Sequence, residues 1–104
     1  MITLFLYDIT SDRIRGKIAQ ICQDYGLKRI QYSAFLGDIT ANKQEELWLK
    51  CRRRLAEEEG NLMLFVLNQQ DLARSRKYIS KGAETKPVLL VEPTNPPLLS
   101  ENNI

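Results

Sequence analysis

The residue best placed to do chemistry is Asp8, a carboxylate that ends an apolar run. Residues Ile2 to Tyr7 are almost all apolar and rich in strand-forming types, which predicts a β-strand covered on both faces. A carboxylate at the end of such a strand needs a hydrogen bond, an opposite charge or a metal ion to compensate it. Asp8 is therefore a metal ligand or a residue that caps a helix or turn, and the residue types alone favour the cap.

The absence of histidine from the sequence narrows the reactions that the chain could catalyse. It excludes histidine-ligated zinc and Ser–His or Cys–His catalysis, and it leaves Ser33 without an evident base. Hydrolysis of a phosphodiester would then need a metal ion that activates water and neutralises the developing charge. Mg²⁺ suits this role because it accepts one or two carboxylates together with waters and phosphate oxygens. One Asp8 per chain, doubled by two-fold symmetry, could hold it.

Basic residues could contact phosphate, although the net charge of +2 is too small to establish a polyanionic partner. Lys28 and Arg29 open the second predicted strand, where phosphate contact and a solvated edge are equally good readings. Two further basic groups are typical of solvated faces: Arg52 to Arg54, which Glu57 to Glu59 offset locally, and the later Arg74, Arg76, Lys77 and Lys81. On a symmetric dimer, paired basic patches would follow a duplex backbone without reading its bases.

Length and composition indicate one soluble domain. The chain has 104 residues, of which 43% are hydrophobic and 27% are charged. Apolar runs stay below membrane-spanning length, and the N-terminus lacks the pattern of a secretory signal, so we expect a cytoplasmic protein. Cys22 and Cys51 fall on predicted helix faces, and we expect them to be buried free thiols.

The pattern predicts the element order β-α-β-β-α-β, which is that of an α+β, ferredoxin-like sandwich. An antiparallel sheet would carry two helices on one face. The predicted strands are Ile2 to Tyr7, Lys28 to Gln31, Ser33 to Ile39 and Leu62 to Leu67. The first predicted helix begins at Ser11 or Asp12, runs to Tyr25 and is ended by Gly26. The second is opened by Thr40 to Asn42, with Glu45 completing a capping box, and is ended by Gly60. Gly37 would mark a bulge or bend, and the last strand reads as central.

The second face of this sheet predicts a homodimer. The two long apolar strands look covered on both sides, yet two helices cover one side only, so a second copy is expected on the open face. Residues 1–80 would form the ferredoxin-like domain, and residues 81–104 a C-terminal extension. In that extension, Pro87 to Val91 predicts a strand at the edge of its own sheet or the partner's, followed by a flexible, proline-rich tail.

A resemblance to a known family covers roughly Ile2 to Leu67. It rests on Tyr7-Asp8-Ile9-Thr10, Arg15, Lys17 and the run from Tyr25 to Asp38. Together these residues resemble the small CRISPR-associated adaptation protein, the nuclease-like partner of the integrase that inserts new spacers. The resemblance implies a ferredoxin-like homodimer in which a C-terminal strand often crosses to the other subunit.

The same resemblance implies a function. Family members are magnesium-dependent endonucleases on RNA or double-stranded DNA, and they form the central dimer that bridges integrase dimers along a duplex. Asp8 would be the metal ligand, with its symmetry mate nearby. The expected catalytic residues are Asp8, Tyr7, Arg29 and Phe35, and the expected nucleic-acid contacts are Arg15, Lys17, Lys28, Arg29 and Ser33.

Two alternatives share this architecture. The dimer could be a purely structural DNA-binding bridge in which Asp8 is catalytically idle. It could also be a toxin-type endoribonuclease. The expected cofactor is Mg²⁺, the expected partners are a second copy, a CRISPR integrase subunit and RNA or duplex DNA, and no membrane association is expected.

Overall fold

The computed structural model of the chain describes residues 1–81 and 84–90. Its helices and strands are β1 (Ile2–Ile9), α1 (Asp12–Asp24), β2 (Lys28–Gln31), β3 (Ala34–Asp38), α2 (Ala41–Leu55), β4 (Gly60–Leu67), α3 (Gln69–Ala73), β5 (Lys77–Ile79) and β6 (Glu84–Lys86). The first four strands form an antiparallel sheet in the order β2-β3-β1-β4. The predicted ferredoxin-like sandwich is confirmed.

Strand β1 is an inner strand of this sheet, and its pairing with β3 and β4 determines which side chains lie on the same face. Phe5 pairs with Phe35 on β3 and with Leu64 on β4. The prediction that Leu62 to Leu67 would be central is wrong, because β4 is an edge strand of the described sheet. Its continuous apolar character reflects an exposed apolar face rather than a position between two other strands.

The ends of both helices follow from side-chain caps. The Ser11 hydroxyl accepts a hydrogen bond from the Ile14 N–H at 3.2 Å and opens α1. Gly26 ends that helix as predicted, with φ of 96°, where glycine has no steric penalty. The Thr40 hydroxyl, rather than a capping box at Asn42, opens α2 by accepting from the Lys43 N–H at 3.2 Å.

The end of α2 also differs from the prediction. The helix stops at Leu55, and Ala56 takes a positive φ of 50°. Gly60 therefore opens β4 instead of ending the helix. Gly60 has a φ of 155°, and a Cβ there would lie 2.8 Å from the backbone oxygen of Asp8, so glycine lets β4 approach the end of β1 closely.

The core lies between the sheet and the two long helices. Phe5, Phe35, Ile18 and Leu47 are its fully buried side chains from β1, β3, α1 and α2 respectively. Full burial of such side chains stabilises the fold by about 1.5–3 kcal/mol each relative to exposure. This layer accounts for the apolar stripes that predicted the helices.

Cys22 on α1 and Cys51 on α2 are buried in that core as free thiols, as predicted. The neighbouring Cys51 thiol, followed by burial, raises the pKa of Cys22 far above its ordinary value. Both effects oppose thiolate formation, and the thiolate is the reactive form of cysteine. The pair therefore packs as two small apolar side chains.

The bulge in the sheet lies in β2 rather than at Gly37. The pairing of β1 with β3 runs regularly through Thr3 and Gly37, whereas the β2–β3 register shifts between Arg29 and Gln31. Gly37 is needed for close packing, because a Cβ there would lie 2.7 Å from Leu27 Cδ2.

Part of the second sheet face is covered by the chain itself. Buried Ile2, Leu36 and Leu72 form a small cluster on which Val88 and Leu90 pack. The expectation that the chain has no further layer is therefore wrong for this half of the face. The other half remains exposed.

In the single chain, the C-terminal extension adds no strand to the edge of the four-stranded sheet, and a strand added to the partner's sheet stays a prediction. Residues 87–90 form no strand, whereas β6 pairs with β5 in a separate two-stranded sheet, Tyr78 lying opposite Thr85. A domain boundary after residue 80 would cut this hairpin. Val91 and the predicted flexible tail lie outside the described residues. Within the described ranges, none of the helices has the length and apolar character needed to cross a bilayer.

Candidate functional site

Asp8 lies on the sheet face opposite the helices. Its neighbours Tyr7 and Ile9 are buried against the helix layer, whereas Asp8 is exposed, as strand alternation requires. Among the described residues, the Asp8 carboxylate makes no hydrogen bond and no ion pair. The capping role that the residue types favoured is taken by Ser11 instead.

Exposed apolar side chains of β4 share the sheet face with this carboxylate. Asn61 lies directly opposite Asp8 on β4, and Met63 lies opposite Leu6. Met63 is 45% exposed and Phe65, on the same face, is 46% exposed. We call these five residues the Asp8 patch. An unpaired carboxylate beside exposed apolar side chains suits an interface that buries them together with a compensating ion.

Tyr7, Arg29 and Phe35 form a separate cluster on the helix-covered face. The Tyr7 and Phe35 rings stack with centroids 6.2 Å apart, and the Arg29 guanidinium lies 5.1 Å from the Phe35 centroid. Burial raises the pKa of Tyr7, although the nearby Arg29 guanidinium offsets part of that rise. The sheet therefore separates these three side chains from Asp8.

This placement corrects the predicted catalytic roles of Tyr7 and Phe35. Tyr7 is 5% exposed and Phe35 is fully buried, so neither ring can contact a substrate in this structure. Both are core residues that hold the end of β1 in place. Arg29 is exposed and keeps its guanidinium over the Phe35 ring, which leaves its outer edge open to solvent.

Replacing Phe35 by leucine is expected to lower the free energy of unfolding by about 1.5 kcal/mol, because the buried ring loses packing contacts. Urea denaturation followed by circular dichroism measures this loss. The nuclease activity that the resemblance implies should stay, per folded molecule, within about twofold of the parent's at a temperature where both proteins are folded. A tenfold loss of activity without a loss of stability would restore the catalytic role.

Arg15 binds the backbone at the end of β1. Its Nη1 donates to the carbonyl oxygens of Ile9 at 2.7 Å and Thr10 at 3.0 Å, and its Nη2 pairs with Asp12. The side chain is 24% exposed. The predicted phosphate contact of Arg15 is therefore replaced by a positioning role, in which the guanidinium fixes the strand that carries Asp8.

Replacing Arg15 by methionine is expected to lower the free energy of unfolding by about 1.5 kcal/mol, since two charge-assisted hydrogen bonds are lost. Lys17→Met is the matched control on the same helix, because Lys17 is exposed and should change stability by less than about 0.5 kcal/mol. Thermal denaturation distinguishes them. Equal stability of the two variants would contradict the positioning role.

The remaining predicted contacts surround the same end of the sheet without converging on Asp8. The Ser33 carbonyl accepts a hydrogen bond from the Tyr7 N–H at 3.1 Å, so Ser33 ties the β2–β3 turn to β1 through its backbone. Lys17 and Lys28 are exposed on α1 and β2, and each lacks a side-chain hydrogen bond or ion pair within the described part of the chain.

A single chain supplies few metal ligands. Residues 1–81 and 84–90 contain no group of three or more His, Cys, Asp or Glu side chains that could hold a metal ion. Asp8 and the Asn61 amide oxygen opposite it are the ligand types that Mg²⁺ accepts. Sequence reasoning missed Asn61, because its place beside Asp8 depends on the β1–β4 register. Aligning residues 2–7 and 62–67 as antiparallel strands would have placed Asn61 opposite Asp8.

The family model for CRISPR associated protein Cas2 matches residues 1–75 of this chain. The chain belongs to the Cas2 family. The match spans β1 to α3 and therefore includes Asp8 and the whole four-stranded sheet. It confirms the resemblance to the CRISPR-associated adaptation protein and favours that assignment over a toxin-type ribonuclease.

Named Cas2 proteins are similar over most of the chain. The CRISPR-associated endoribonuclease Cas2 of Desulforudis audaxviator is 42% identical over 76 residues, which are 73% of this chain and 72% of that protein. The Cas2 crystal structure from Streptococcus pyogenes superimposes with a TM-score of 0.60 at 22% identity, over 66% of this chain and 88% of that one. The latter likeness supports the fold.

One further relative is a fusion protein. The CRISPR-associated endonuclease Cas1/endonuclease Cas2 fusion of Thermoproteus tenax is 31% identical over 75 residues, covering 72% of this chain and 28% of the fusion. In that protein, a Cas2-like part and a Cas1 part occupy one polypeptide. This Cas2-family chain corresponds to the smaller portion.

Proposed function

We propose that this protein is a cytoplasmic CRISPR-associated endoribonuclease of spacer acquisition, active as a homodimer joined through the Asp8 patch. The observation that carries the proposal is the exposed Asp8 carboxylate, which has no partner among the described residues and shares a sheet face with exposed Met63 and Phe65. A second copy placed on this face would bury the apolar side chains and bring two Asp8 carboxylates together.

The residues of the Asp8 patch fit Mg²⁺ if both protomers contribute. Asp8 from each chain would hold the ion, and Asn61 would supply a neutral oxygen beside each carboxylate. When bound, the ion supplies activation of water and neutralisation of charge on the phosphate. Arg15 and the Ser33 carbonyl fix the backbone on either side of Asp8, so the carboxylate is held on an ordered strand rather than on a loop.

The proposed activity is tested by incubating the purified protein with labelled single-stranded RNA and labelled duplex DNA, with magnesium or with EDTA. We expect RNA cleavage that requires magnesium. Cleavage that is unchanged in EDTA would contradict the metal-dependent mechanism. Cleavage of DNA alone would contradict the endoribonuclease assignment, which comes from the named relatives.

A second function, a non-catalytic bridge on duplex DNA that binds a Cas1 integrase, is favoured by one observation. Each chain offers one carboxylate in the Asp8 patch, and the described residues hold no group of three or more His, Cys, Asp or Glu side chains that could bind a metal ion. The Cas1/Cas2 fusion supports Cas1 as the partner. A pull-down with a purified Cas1 integrase tests the association, and an Asp8→Asn variant that still assembles would separate bridging from cleavage.

A further inference from the structure

The positive charge of the chain is concentrated in one short segment. Residues 1–73 carry ten basic and ten acidic side chains, whereas residues 74–86 carry five basic side chains and one acidic residue, Glu84. The segment ends α3 and forms β5 and β6. The family model ends at residue 75, so most of this segment lies beyond the matched span. We call the described part of this segment, residues 74–81 and 84–86, the basic hairpin.

Several basic side chains of the hairpin are open to an outside partner. Arg76 and Lys81 are exposed, Lys77 is half-buried, and none of the three forms an ion pair within the described ranges. Arg74 is 74% exposed at its side chain and pairs with Asp71 at 3.4 Å, a surface contact that water and salt weaken.

A cavity next to the hairpin combines cations with an apolar wall. It has a volume of about 320 Å³. The residues that line it are Ile30, Gln31, Arg76, Lys77, Tyr78, Val88 and Leu89. Tyr78 is 64% exposed, although large aromatic side chains usually bury their rings. Cations beside an exposed ring suit a phosphate and a flat, uncharged ring system in the same ligand.

The geometry points to the basic hairpin as a binding surface for unpaired nucleic acid, in which Arg76 and Lys77 contact phosphates and the Tyr78 ring stacks on a base. Stacking requires a base with a free face, which a duplex does not offer away from its ends. A single-stranded nucleic acid is therefore the ligand that would contact both the cations and the aromatic ring of the cavity.

The position of the cavity links it to the Asp8 patch. Gln31 lines the cavity and precedes the β2–β3 turn, whose Ser33 carbonyl is bonded to the Tyr7 N–H. Strands β2 and β1 flank β3, so they lie roughly 10 Å apart at the normal strand spacing. A strand held in the cavity would reach the end of β1 within a few nucleotides. The inference thus deepens the proposed nuclease function.

Fluorescence anisotropy with a labelled oligouridine tests the proposal on the full chain, in EDTA so that cleavage does not occur. Arg76→Gln with Lys77→Gln should weaken binding by at least about tenfold and lower the salt-dependence slope by about 1.4, since two phosphate contacts are lost. Tyr78→Ala should weaken binding about tenfold, and Tyr78→Phe should retain the parent affinity because the ring remains.

The matched control is Arg53→Gln with Arg54→Gln, which removes the same charge from α2 and should change affinity by less than about threefold. Thermal denaturation verifies that each variant is folded. Equal weakening by the hairpin and α2 variants, or wild-type affinity of Tyr78→Ala, would overturn the proposal. Since Asp8 is unchanged and no metal is present, this result is independent of whether the Asp8 patch cleaves RNA.

Discussion

Replacing Asp8 by asparagine is expected to lower the rate of magnesium-dependent RNA cleavage by at least about 100-fold. Loss of a residue that merely orients a metal ligand reduces metal affinity or activity by 10–100-fold, and loss of the ligand itself should exceed this. In a symmetric dimer the substitution removes both carboxylates at once. Single-turnover cleavage of labelled RNA over a range of magnesium concentrations measures the effect.

The fold should be unaffected by that substitution. Asp8 is exposed and its carboxylate makes no hydrogen bond within the described residues, so the unfolding free energy should change by less than about 0.5 kcal/mol. Asp24→Asn is the matched control, since Asp24 is an exposed carboxylate at the end of α1. Cleavage that persists in Asp8→Asn at the rate of the control would show that Asp8 is not part of the active site.

Replacing Phe65 by lysine is expected to raise the dimer dissociation constant by at least about 100-fold. Phe65 is 46% exposed in the single chain and lies in the Asp8 patch, where the proposed interface would bury it. The dimer contains two copies, and burial of an unpaired charge at an interface is strongly unfavourable. Sedimentation equilibrium over a range of protein concentrations measures the constant.

The neighbouring residue gives a close control for this experiment. Val66 is 50% exposed on the same strand, but it pairs with Thr3 and so lies on the opposite face of the sheet. Val66→Lys should dissociate like the parent protein. RNA cleavage should fall with dimer content in Phe65→Lys and remain in Val66→Lys. A parent chain that stays monomeric, or equal dissociation of both variants, would contradict the interface.

The sequence predicted the fold well because its signals were local. Ser11 and Gly26 limit α1 as expected, and the apolar runs and stripes specify the first six elements. The position of β4 was missed, since an apolar run reads alike in a central strand and in an edge strand with an exposed apolar face. Leu72, Val88 and Leu90 cover part of the second sheet face through contacts with residues far away in the sequence, which no local pattern predicts.

The candidate site was predicted in part. Asp8 was singled out as the residue that needs compensation, but the capping role that its residue type favoured belongs to Ser11. Tyr7 and Phe35 were grouped with Asp8, although their side chains lie on the other face of the sheet. Arg15 was expected to contact phosphate, because a sequence does not reveal that backbone carbonyls occupy a guanidinium. The basic residues of the hairpin are visible in the sequence, but their place in one cavity with Ile30 and Val88 depends on long-range contacts.

The number of metal ions bound per chain tests the central claim most directly. Mn²⁺ accepts the same oxygen ligands as Mg²⁺ and is detected by electron paramagnetic resonance. Two Asp8 carboxylates that share an ion predict one tightly bound Mn²⁺ for every two chains, lost in Asp8→Asn and weakened in Phe65→Lys. One ion per chain, or undiminished binding in Asp8→Asn, would contradict a shared site between two protomers.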